Sequence, residues 1–119
     1  MPSLNRRRLR SQHKPLDPAQ LQAVAQLFDV LSEGSRLRIL QLLQGGPLSV
    51  GDLVEQSGLK QANVSKQLRI LQSAGIIARR QEGNRAIYSI KLPLVFDLCN
   101  LVCHGIARQA AERAAALGG

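Results

Sequence analysis

Two cysteines and a histidine stand close together near the end of the chain, at Cys99, Cys103 and His104. Thiols four residues apart share one helix face, with Cβ atoms about 6 Å apart, whereas a disulfide wants about 3.8 Å. A bond between them would strain or unwind a helix, which makes the pair a candidate thiol redox or reactive-sulfur switch. Each thiol could instead pair with its symmetry mate in a second chain, or the two could be bridged through extra sulfur. A soft metal ion or arsenite held by Cys99, Cys103 and one further ligand is another reading. His104 points about 100° away around a helix, so a single-helix site is poor and a partner chain would have to complete it. The plainest alternative makes both thiols small apolar side chains in a packed interface. His13, set among arginines, reads as a bystander.

A second group has the chemistry of base and phosphate recognition. Gln61, Asn63, Ser65 and Lys66 follow one another within one and a half helical turns, with Ala62 small enough for close approach. Gln and Asn can bond adenine bidentately, and Lys can reach guanine acceptors. Arg69, farther along, suits phosphate. Arg79, Arg80 and Arg85 flank Gly83-Asn84 and suit the DNA backbone or minor groove, with Asn84 at the tip. As a solvated strand edge these arginines would merely deter aggregation; beside a helix pair, DNA is preferred. The acidic pairs Asp29/Glu33 and Asp52/Glu55 lack any accompanying nucleophile or His and read as solvated helix faces. There is no phosphate-binding glycine loop, metal-ligand box or nucleophile–base pair, so an enzyme is the weakest reading.

These residues need elements to position them. Asp17-Pro18 is an N-cap followed by proline at the first helical position. Leu21, Val24, Ala25, Phe28 and Leu31 then recur at helical spacing, with Leu27 and Val30 as a second stripe. A helix apolar on two sides wants a second burial partner. Gly34 should end it, and Ser35 should cap a short buried helix over 36–44. After Gly45-Gly46-Pro47, Ser49 should cap a third helix over 50–57. Ser57-Gly58-Leu59 makes a tight turn into a fourth helix over 61–74, with Val64, Leu68 and Leu71 inward. After Gly75 the period changes to 2: residues 77–81 and 85–90 form a hairpin around Glu82-Gly83-Asn84. A last helix runs from Pro93 to about Leu117, its stripes Leu94, Leu98, Leu101, Val102, Gly105 and Val95, Cys99, Cys103, Ile106. Its Ala-rich end should fray. The order is α-α-α-α-β-β-α: mainly α with a β-hairpin wing, a winged helix-turn-helix with its second helix bound for the major groove.

Length and charge agree. The 119 residues fit one domain, and 45% hydrophobic residues exclude wholesale disorder. Residues 1–15 read as a disordered basic arm, and 16–117 as the DNA-binding and dimerisation domain. No apolar run is long enough to span a membrane, and no apolar segment follows the basic start as in a secretory signal. Two cysteines are too few for a disulfide scaffold, so a cytoplasmic home is expected. Residues 1–14 carry five positive charges and no acid, and residues 59–91 carry seven against Glu82 alone. Nearly all of the +8 therefore sits in two places, and nucleic acid is the commonest partner for such a balance.

The stretches Phe28–Leu43 (FDVLSEGSRLRILQLL), Leu48–Gly58 (LSVGDLVEQSG), Gln61–Gly75 (QANVSKQLRILQSAG) and Arg79–Tyr88 (RRQEGNRAIY) resemble the ArsR/SmtB family of bacterial repressors. The likeness covers about residues 20–105. It implies a homodimer through the first and last helices, and a repressor that leaves its operator when an effector binds. A two-fold dimer implies a pseudo-palindromic double-stranded operator. Metal-sensing relatives often carry a Cys-x-Cys box in the third helix, where this chain reads Leu48–Leu53 with no Cys. Others use Asp-x-His on the last helix, where this chain has Asp97-Leu98-Cys99. Both boxes are absent, which leaves Cys99 and Cys103 as the effector candidates.

Overall fold

The computed structural model describes residues 14–118; most of the expected basic arm, His13 included, lies outside them. The elements run α1 (Pro18–Leu31), α2 (Gly34–Leu43), β1 (Leu48–Ser49), α3 (Val50–Ser57), α4 (Gln61–Ser73), β2 (Ile77–Glu82), β3 (Arg85–Ile90) and α5 (Pro93–Gly118). The mainly helical winged helix-turn-helix expected from the sequence is present, with one strand more than its pattern announced.

Local chemistry accounts for the boundaries. Asp17 opens α1 through a capping box: its carboxylate accepts from the Gln20 N–H at 2.8 Å, and Gln20 Oε1 accepts from the Asp17 N–H at 3.0 Å. The α1–α2 junction departs from expectation. The first helix closes at Leu31, Ser32 folds its hydroxyl onto the Asp29 carbonyl at 2.6 Å, and Gly34 starts the second helix instead of stopping the first. Glu33, not Ser35, supplies the cap, accepting from the Arg36 N–H at 3.1 Å. Its longer side chain reaches the N–H three residues on, the geometry any N-cap needs. Ser49 caps α3 as expected, reciprocated by Asp52. Gly58, at φ +75°, makes the left-handed turn between α3 and α4 that a side chain would strain.

Strands β2 and β3 pair antiparallel from Ile77↔Ile90 to Glu82↔Arg85. The additional β1 adds two pairs on the other side of β3, Leu48↔Tyr88 and Ser49↔Ile87, giving the order β1-β3-β2. Two residues are too few to show a period, which is why the sequence does not reveal this strand.

The core is aliphatic. Ile39, Leu40 and Leu43 of α2, Leu53 of α3, and Val64, Leu68 and Leu71 of α4 meet Ile77 and Tyr88 of the sheet and Ile76 just before it. Leu31 closes it from α1, and Val95 and Cys99 close it from α5. Gln44, at the C-cap of α2, donates to Asn100 Oδ1 at 3.1 Å and so ties α5 to the domain.

The two-stripe reading of α1 resolves into two environments. Leu27, Val30 and Leu31 pack on the core, whereas Leu21, Val24 and Phe28 face solvent. In α5 only Val95 and Cys99 are buried, and every described residue from Asn100 onward is exposed. The helix nonetheless continues to Gly118, so the fraying expected over Ala110–Leu117 does not appear. The radius of gyration is 17.9 Å, against about 13 Å for a compact domain of this size. The excess reflects helices that leave the core unaccompanied.

Candidate functional site

α4 is mounted on the core by its inner face and offers the other. Gln61, Ala62, Lys66 and Arg69 are exposed, and Asn63 and Ser65 are half-buried. No side chain caps the N-terminus of α4, so its first-turn N–H groups have no side-chain acceptor and exposed Lys60 stands at the cap position. An uncapped helix start beside a lysine favours anions. Lys60 contributes to the charge balance in the sequence, but its place at the uncapped start of α4 emerges only from the structure. Asn63 is engaged internally: Oδ1 accepts from Gln67 at 2.9 Å, and Nδ2 donates to Ser35 Oγ at 3.4 Å.

The wing holds its arginines in three different ways. Arg79 donates to Gln81 Oε1 at 3.0 Å along its own strand face. Arg80 forms an exposed ion pair with Glu82, its Nε at 2.8 Å from Oε2. Arg85 turns back on the domain, donating to Ser49 Oγ at 2.9 Å and to Asp52 Oδ2 at 3.1 Å. The Ser49 N–H, then the Ser49 hydroxyl and the charge of Arg85, hold the Asp52 carboxyl below its ordinary range. Arg85 thus braces β3 against the N-terminus of α3 while remaining largely exposed. Asn84 is exposed at the hairpin tip beside Gly83, whose φ of +60° closes the turn.

Cys99 and Cys103 line one cleft of about 690 Å³ between α1, α2 and α5, walled by Phe28, Leu31, Leu37 and Val102. Cys99 is buried and Cys103 exposed, both as free thiols. Burial, and then the neighbouring Cys103, push the Cys99 thiol above its usual value, so it keeps its proton near neutrality. His104 is exposed and is not part of the cleft wall. Among the described residues no three His, Cys, Asp or Glu side chains come together as a metal site. The structure therefore brings the two thiols to one place and leaves His104 outside it.

Residues 33–79 match the family model described as "Bacterial regulatory protein, arsR family". The chain is 39% identical over 94 residues to the uncharacterized HTH-type transcriptional regulator Rv0081 of Mycobacterium tuberculosis, an alignment covering 78% of this chain and 82% of that protein. The solution structure of the homodimeric winged helix-turn-helix DNA-binding domain of Mb0332 from Mycobacterium bovis, described as a possible ArsR-family transcriptional regulator, superposes with a TM-score of 0.71. It is 31% identical, and the match covers 86% of this chain and 94% of that one. The AntR antimony-specific transcriptional repressor gives a TM-score of 0.76 at 32% identity, over 84% and 91% of the two chains. No helix among the described residues is long and apolar enough to cross a membrane. With its helix pair, its wing and these relatives, the chain belongs to the ArsR family of winged helix-turn-helix transcriptional regulators.

Proposed function

We propose that this protein is a homodimeric repressor that reads a pseudo-palindromic operator with α4 and releases it when Cys99 and Cys103 are modified. The observation that carries the DNA reading is α4 itself. Its inner face is locked by fully buried Val64, Leu68 and Leu71, while Gln61, Ala62, Lys66 and Arg69 face out beside an uncapped start. A rigidly mounted helix with amide and ammonium groups outward is what major-groove reading requires. Ser65 lies at its edge, and Arg79, Arg80 and Asn84 supply backbone contacts from the wing. Arg85 contributes charge from its braced position. The dimer reading rests on the exposed apolar faces of the first and last helices, Phe28 at 55% and Leu101 at 73% among them, and on the homodimeric state named for the Mb0332 domain.

The thiol reading rests on the shared cleft and the unequal exposure of its two sulfurs. With a peroxide as oxidant, exposed Cys103 attacks one peroxide oxygen as its thiolate, giving a sulfenic acid and one water. The Cys99 sulfur then displaces the second water from Cys103, and its proton leaves with that water. Two thiols lose two electrons and the peroxide gains them. An i, i+4 disulfide does not fit an intact helix, so α5 must loosen where it meets α1 and α2. A polysulfide would bridge the same sulfurs with less distortion. A second reading, capture of a soft metalloid by thiols of two chains, is favoured by the likeness to the antimony-specific AntR.

The deciding experiment titrates reduced, metal-free protein onto the DNA upstream of its own coding region, then repeats after peroxide, polysulfide or trivalent antimony. Affinity lost on oxidation and restored by reductant supports the thiol switch; loss with antimony alone supports the second reading. Affinity indifferent to all three leaves the cysteines as packing. Binding that does not fall steeply between about 50 and 200 mM salt would instead make the domain a protein-interaction module.

A further inference from the structure

On the inward side of α4, among Val64, Leu68 and Leu71, stands an amide. Gln67 is 5% exposed, and with Ser49 it is one of two buried polar residues among those described. An unbonded buried amide is costly, yet no buried side-chain nitrogen or oxygen among the described residues lacks a partner. Arg36 of α2 donates from Nη1 to Gln67 Oε1 at 3.1 Å and from Nε to the Val30 carbonyl of α1 at 2.6 Å. Gln67 Nε2 donates to Asn63 Oδ1 at 2.9 Å, and Asn63 Nδ2 donates to Ser35 Oγ at 3.4 Å. The chain begins at the last turn of α1 and ends at the first turn of α2, passing through α4 between them.

Arg36 fixes the direction of the whole chain. A guanidinium can only donate, so the Gln67 oxygen must face it and the Gln67 nitrogen must face Asn63. Asn63 then has to turn its oxygen to Gln67 and its nitrogen to Ser35. Bidentate reading of adenine needs that same oxygen and nitrogen side by side and aimed at the groove. Both are aimed inward.

We infer that Asn63 and Gln67 are positioning residues that moor the reading helix to the α1–α2 junction, leaving base recognition to Gln61, Ala62, Ser65 and Lys66. This rests on the reading of α4 as the DNA-contacting helix. It changes the role that Asn63 has from its sequence position alone, near the start of that helix. Loss of the mooring loosens every base contact together, whereas loss of a base reader relaxes one base pair.

The test measures affinities of the wild-type protein and of Asn63→Ala, Gln67→Leu and Ser35→Ala for the operator and for a set of operators changed one base pair at a time. Asn63→Ala and Gln67→Leu are each expected to weaken operator binding roughly three- to tenfold, the worth of one lost hydrogen bond. Discrimination should fall evenly across the half-site. The double variant should lose little more than either single one, because both break the same chain. If Gln67→Leu does not fold, Asn63→Ala and Ser35→Ala form the same cycle with milder changes. Relaxed preference at a single base pair in Asn63→Ala, full additivity in the cycle, or unchanged binding in Asn63→Ala would each overturn the inference. A wild-type protein that binds no operator would overturn the DNA reading first, and is seen before any variant is compared.

Discussion

Lys66 and Arg80 are both exposed cations, but their surroundings predict different losses. Lys66 stands on the outer face of a locked helix with no ion-pair partner among the described residues. Lys66→Ala should weaken specific binding roughly tenfold or more while leaving nonspecific DNA nearly untouched. Arg80 contacts Glu82, and phosphate must replace that carboxylate. Arg80→Ala should weaken binding to every sequence and lower the salt slope by about one; competition titrations across a salt series separate the two. Arg85→Ala should instead cost thermal stability, an effect shared non-additively with Asp52→Ala, because the two groups meet at 3.1 Å. The exposure of Gln61, Lys66 and Arg69 on α4 and of the wing arginines was legible in the sequence because side-chain type and helical or strand spacing suffice to place them. The partners of Arg85 and Asn63 were not, since Ser49 and Ser35 lie 36 and 28 residues away in sequence.

Turns and caps decide whether α4 is presented at all. Gly58 carries φ +75° between α3 and α4, so Gly58→Ala should cost about 1 kcal/mol of stability. Chemical denaturation would register this as a lower midpoint at unchanged slope. Glu33 caps α2 and Asp52 completes the Ser49 capping box of α3, and both carboxyls are held below their usual 4.5 and 3.8, chiefly by the Ser35 and Ser49 N–H groups. A lowered carboxyl stabilises the fold above its unfolded value, and that stability disappears as pH falls through the folded one. Unfolding temperature should therefore hold from neutrality down to about 4.5 and then decline, less so in Glu33→Gln. A flat profile through that region would remove the two caps from the stability argument. The long periodic helices and the hairpin were readable because each repeats its pattern over several residues. Short β1 and the Glu33 cap were not: one has two residues, and the other depends on a side chain preferred over Ser35 only once α1 has ended.

At the scale of the whole chain, the apolar faces of α1 and α5 are the part of the hydrophobic pattern that one domain leaves unspent. Leu101→Glu, far along α5 and 73% exposed, should yield monomers by light scattering without loss of helicity, and operator affinity should collapse with the dimer. Cys99 adds an alkaline limit. Its thiol is raised above 9.0 by burial, so the stability it confers is complete below that pH and declines as pH rises through the folded value; Cys99→Ser should blunt the decline. The sequence announced two apolar sides on α1 but not which side the domain would keep, because that depends on where α2 crosses it.

Tyr88 gives the stability measurements, made without DNA, a common optical channel. The chain has one tyrosine and no tryptophan, and that ring sits at 9% exposure in the middle strand, paired with Leu48 on one side and Arg79 on the other. Intrinsic emission excited in the near ultraviolet therefore comes from a single phenol at the root of the wing. Unlabelled protein can report how firmly the wing is seated, free of interference from a second emitter and of any dye that would consume a thiol.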